Sequence, residues 1–213
     1  MKVLLADSPF WNELGRGFQN KYVKAVEAAY KKAARLLPFG SKHLTFVVQP
    51  REYWLANVSK DNGRALNAGL IELAFHPKTA RTKPSKILGQ VEPLVLHEMN
   101  HAARYSAKIL PKTFLDNCIN EGLAVVFARE YTGYKAPWDK YPKEVTKWLK
   151  EVQKAGKCID WYHYMFLHPD GRPWIGYKVG TYVIDQAMKN SGKTVIELTK
   201  MECRDIFKLS KVL

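Results

Sequence analysis

Between residues 20 and 37 the apolar positions Val23, Val26, Tyr30, Ala33 and Leu37 recur at spacings of three and four, with Lys21, Lys24, Lys31, Lys32 and Arg35 between them. That period predicts an amphipathic helix with a basic outer face. Pro38, Phe39 and Gly40 end it. The stretch 43–49 (HLTFVVQ) is rich in β-branched and aromatic residues and reads as a buried strand. A second strand is predicted over 70–75 (LIELAF), just after Asn67, Ala68 and Gly69, and the polar, proline-containing run HPKTARTKPSK behind it reads as a surface loop.

From Val91 or Glu92 the period turns helical and is expected to run to about Leu110, with Pro93 in the first turn, where a missing N–H costs nothing. Thr113 is a candidate N-cap for a further helix over 114–131, and Gly133 is its natural stop. The aromatic and Lys-rich stretch 134–170 carries weaker helical spacing at Val145, Trp148, Leu149 and Val152. Two last helices are predicted over 176–189 and 194–207. No internal repeat and no linker-like tract interrupts the 213 residues. Strands early and helices late predict an α+β fold in one domain, 1–213. It has a small strand-containing N-terminal lobe (about 1–110) and a helical C-terminal lobe (about 111–213).

Composition narrows the class. Hydrophobic residues at 46% and charged residues at 25% are those of a globular chain and exclude a mainly disordered one. The opening apolar run stops at Asp7, and the stretch 122–128 is far shorter than a membrane span, so neither a signal peptide nor a transmembrane segment is expected. Cys118, Cys158 and Cys203 are odd in number and far apart, which argues against a disulfide framework or thiolate metal site and for a reducing, cytoplasmic setting. The 34 Lys and Arg against 20 Asp and Glu give a formal charge of +14.

Candidate chemistry lies at 97–101, where His97, Glu98, Met99, Asn100 and His101 spell HExxH on the first central helix. Histidines four apart stand one above the other on a helix, so both rings can reach one Zn²⁺ at ~2.0–2.1 Å, with the neighbouring Glu beside the metal's open side. Leu96, Met99 and Ala103 fall on the opposite, core-facing side. With six His and twelve Glu in the chain, chance supplies this pattern about 0.01 times.

A zinc site with an open position needs a third protein ligand. Glu121 follows His101 by twenty residues and sits among Ile119, Leu123, Ala124, Val125 and Val126, where an ionised carboxylate is costly to bury without a cation. His163 and His168 are the rival ligands. HExxH followed about twenty residues on by Asn120-Glu121-Gly122-Leu123-Ala124 resembles the gluzincin metallopeptidases. More narrowly, HEMNHAAR with INEGLAVVFA, IGYKVGTYVI and TVIELTKM resembles the YjaZ-like zinc-dependent proteases over roughly 67–207. The resemblance implies a zincin-like fold with the active-site helix between the lobes. It also implies one Zn²⁺ per chain held by His97, His101 and Glu121, with Glu98 as general base for peptide-bond hydrolysis.

Gluzincins often carry an Asp four residues beyond the ligand Glu to orient a zinc-bound His. Val125 stands there in this chain, leaving Asn117, Asn120 or a backbone carbonyl for that task. An oxyanion donor is expected beside the metal. The resemblance points to Tyr177, with Tyr182, His163 and Tyr105 as alternatives. It also makes Asn67, Ala68, Gly69 and the strand after them the edge along which an extended peptide would bind.

Lys78, Arg81, Lys83 and Lys86 crowd the segment before the HExxH helix and predict a peptide or protein substrate of acidic character. A nucleic-acid partner is disfavoured because no RNP, zinc-finger or helix-turn-helix signature accompanies the charge. Two other readings remain as rivals to the peptidase. A nucleic-acid-binding module would keep salt-sensitive binding after metal loss, and a metal-stabilised non-catalytic protein would unfold without zinc yet ignore Glu98→Gln.

Overall fold

Four strands form one sheet in the computed structural model, which describes residues 1–40, 43–52, 61–156 and 159–212. The fold is α+β, and the chain divides into two units, Met1–Ala107 and Lys108–Leu213.

The first unit runs β1 (Lys2–Leu5), α1 (Phe10–Leu36), β2 (Thr45–Pro50), β3 (Asp61–Asn67), β4 (Leu70–Phe75), α2 (Pro77–Thr82) and α3 (Pro84–Ser106). The sheet order is β1-β2-β4-β3. β1, β2 and β4 are parallel, with Val3 opposite Phe46 and Phe46 opposite Ile71. β3 returns antiparallel to β4, with Gly63 opposite Leu73 and Ala65 opposite Ile71, and forms one edge. Alternate residues of β2 and β4, among them Phe46, Val48, Ile71 and Leu73, are buried, which is the period-2 signature that made both legible. Trp11 and Phe18 of α1 each close edge-on against Phe75 of β4, at 5.6 Å between ring centroids.

Several boundaries differ from expectation. α1 begins ten residues before the period is visible, because Gly15, at φ 72°, kinks it and breaks the apolar spacing. β1 is a half-exposed strand of four residues, too short to show a pattern. The run HPKTARTKPSK is not a loop: it folds as α2 and the start of α3, with Pro77 and Pro84 in their first turns, where proline starts helices as readily as it breaks them. Pro93 therefore lies inside α3. It removes the N–H that would meet the Gly89 carbonyl, and Gly89 is exposed, so water can take that bond.

The second unit is helical: α4 (Phe114–Thr132), α5 (Val145–Ala155), α6 (Trp161–Met165), α7 (Ile175–Ser191), α8 (Val195–Thr199) and α9 (Cys203–Ser210). Thr113 caps α4 as expected. Its hydroxyl accepts the Asp116 N–H at 3.1 Å while Asp116 accepts the Thr113 N–H at 3.0 Å, and Gly133 ends the helix in the left-handed conformation. The single helix expected over 194–207 is two, parted where Glu202 turns extended.

α4 and α7 cross at Gly122 and Gly180, where a β-carbon on either glycine would strike the other helix's backbone. Arg129 of α4 holds Asp185 of α7 at 2.6 Å and Asp139 at 2.9 Å, which fixes the segment leading to α5. Cys118 and Cys203 are buried, and Cys158 lies outside the described residues. Among the described residues no helix is long and apolar enough to cross a membrane.

Candidate metal centre

α3 presents the HExxH as its spacing requires. His97 is half-buried and His101 7% exposed, while Leu96, Met99 and Ala103 are buried on the core side. The two Nε2 atoms stand 3.2 Å apart, with the rings edge to face at 77°. Two nitrogens bound to one tetrahedral zinc at ~2.0–2.1 Å would be about 3.3 Å apart, so this pair is already at the separation a shared ion demands.

Glu98, 4% exposed, lies against the edge strand. Its Oε2 accepts the Ala65 N–H at 2.7 Å, so this amide of β3 goes to a side chain of α3. A β-carbon on Gly63 would come within 2.5 Å of the Glu98 Cγ and 2.7 Å of its Oε1. Sequence reading missed both residues. The available signal was a glycine inside a strand, which marks close approach by another group, but 61–67 (DNGRALN) has no β-branched residue and did not read as a strand at all.

In the second unit Glu121 is half-buried on α4, one residue before the Gly122 crossing. Burial, and then the negative charge of Glu121 one turn away, push the Cys118 thiol well above its ordinary pKa and leave it inert. His97 and His101 of the first unit each offer a ring nitrogen as a ligand atom, and Glu121 of the second offers a carboxylate oxygen. Two imidazoles and one carboxylate are a donor set that suits zinc. The rival ligands are engaged elsewhere. His163 pairs through Nδ1 with Asp160 at 3.0 Å, and His168 with Asp170 at 2.9 Å.

Residues 22–208 match the family model described as predicted Zn-dependent protease (DUF2268). The chain belongs to that family. Among curated proteins and among solved structures nothing matches it.

The remaining expected residues lie as follows. Tyr177 is half-buried on α7, its ring 5.4 Å from that of Trp138. Tyr182 stacks on Tyr141 at 5.2 Å, and Tyr105 is exposed near the end of α3. Asn117 donates to the Thr113 carbonyl of its own helix at 3.0 Å. Asn67, Ala68 and Gly69 form the β3–β4 turn, in which the Asn67 Oδ1 accepts the Gly69 N–H at 2.8 Å. The strand after them, β4, is interior; the edge strand is the one before them, β3. Lys78 and Arg81 are exposed on α2, Lys83 at its junction with α3 and Lys86 in the first turn of α3, and Arg81 meets Glu13 at 3.3 Å.

Proposed function

We propose that this protein is a zinc-dependent peptidase of the gluzincin type, with one Zn²⁺ held by His97, His101 and Glu121 and with a zincin-like arrangement of β3 and α3. The observation that carries the reading is the 3.2 Å approach of the two HExxH imidazole nitrogens, with an acidic side chain between them in sequence. Zinc in such a site supplies Lewis acidity, lowering the pKa of water toward ~7 and polarising a carbonyl oxygen. Glu98 accepts the proton of the attacking water and returns it to the leaving amine. Tyr177 donates to the oxyanion. β3, rather than β4, offers its open edge to an extended peptide, which pairs with it through main-chain bonds.

Metal analysis and peptide hydrolysis test this together. The purified protein is expected to hold about one Zn²⁺ per chain. Glu121→Ala should lose most of it, whereas Glu98→Gln should keep the metal and lose on the order of 10² to 10⁴ in kcat. Full zinc occupancy in Glu121→Ala would return the third position to His163 or His168. Unchanged hydrolysis by Glu98→Gln would remove the proposed base.

A further inference from the structure

We infer that Gly63 and the main-chain amide of Ala65 are positioning elements for Glu98: strand β3 is the seat of the HExxH carboxylate, and residue 63 is glycine because Glu98 occupies the space a side chain would need. The inference rests on the reading of Glu98 as the proton acceptor for its catalytic consequence only. The seat itself is a matter of packing and is tested separately.

Three observations meet here. The Glu98 side chain is 4% exposed, so its carboxylate has exchanged water for protein partners and needs a fixed donor. The Ala65 N–H supplies one at 2.7 Å, the short distance of a charge-assisted bond. Two residues along the same strand, a β-carbon on Gly63 would meet the Glu98 Cγ, Oε1 and Cδ at 2.5 to 2.8 Å, closer than real β-carbons sit, so side chain or strand would have to move. Residues 63 and 65 share a parity on β3, whereas Arg64 between them is exposed. The strand thus meets Glu98 in two ways, with an absent side chain at Gly63 and a donated amide at Ala65. β3 is also the edge strand, so a peptide pairing with it would touch the element that holds the base. Seat and substrate edge are the same few residues.

The test is a double-mutant cycle on the full chain, using Gly63→Ala, Glu98→Ala and the pair, followed by urea unfolding with metal content measured in parallel. All three clashing atoms belong to Glu98 beyond its β-carbon, so Glu98→Ala empties the space. Gly63→Ala is expected to shift the unfolding equilibrium at least about tenfold toward the unfolded state in the Glu98 protein and much less in the Glu98→Ala protein, while Arg64→Ala shifts neither. If Gly63→Ala fails to fold, the pair is expected to fold. Failure of both, or an equal cost in both backgrounds, overturns the seat.

Where a peptide is cleaved, Gly63→Ala should lower kcat by about tenfold or more with KM and zinc content nearly unchanged. Wild-type kcat in Gly63→Ala would overturn the positioning role. Absence of hydrolysis in the wild type would sink the peptidase reading and leave the unfolding cycle to decide the seat.

Discussion

At the scale of single residues, the proposed chemistry depends on groups whose roles can be separated from their packing. Tyr177 is one. Its ring lies against Trp138, a contact that phenylalanine would keep, so Tyr177→Phe removes the hydroxyl alone. If that hydroxyl meets the oxyanion, kcat should fall by about 10² to 10³ with KM little changed. Wild-type kcat in this variant would pass the role to Tyr182, Tyr105 or His163. The HExxH was legible in the sequence because its geometry is local: four residues of helix fix how His97 and His101 stand, whatever surrounds them. Gly63 was not legible as a partner of Glu98, thirty-five residues away, because its meaning arises only when β3 and α3 meet.

Elements announce themselves when their signals are capped and periodic, and stay hidden when proline or brevity disguises them. Thr113, Asp116 and Gly133 mark both ends of α4 with chemistry confined to one turn, and the alternation in β4 needs only its own six residues. α2 stayed hidden because a proline at the first helical position reads like a breaker, and β1 because four half-exposed residues carry no period.

At the α4–α7 crossing two effects of adding a carbon to Gly122 oppose each other. Helix propensity alone says that Gly122→Ala should stabilise α4 by about 1 kcal/mol. The crossing says the reverse, since the added carbon would meet Gly180 backbone rather than a side chain that can swing away, and overpacking typically costs about 1 to 3 kcal/mol or more. The clash should win, lowering Tm by roughly 2 to 10 °C for a chain of this size. Measuring metal-free protein keeps the neighbouring Glu121 out of the comparison. A Tm at or above wild type would mean that the helices do not approach so closely.

For the whole molecule the question is what a charge of +14 does for the proposed peptidase. The four cations Lys78, Arg81, Lys83 and Lys86 were expected on a surface loop before the HExxH helix. They lie instead on α2, at its junction with α3 and in the first turn of α3, and eleven residues of helix separate Lys86 from His97, about 16 Å at 1.5 Å per residue. That distance decides how far their field reaches. At physiological ionic strength the Debye length is about 8 Å and most of the field is screened, whereas at 0.01 M it is about 30 Å and the site lies within it. A preference for acidic over neutral peptides in kcat/KM should therefore be clear at 0.01 M and nearly gone at 0.15 M, and changing all four residues to Ser should flatten it. An acidic preference that persisted at 0.15 M in the Ser variant would place the selecting charge nearer the proposed zinc ligands. Tight DNA or RNA binding by the wild type, lost in the same variant, would assign these cations to a nucleic-acid partner instead.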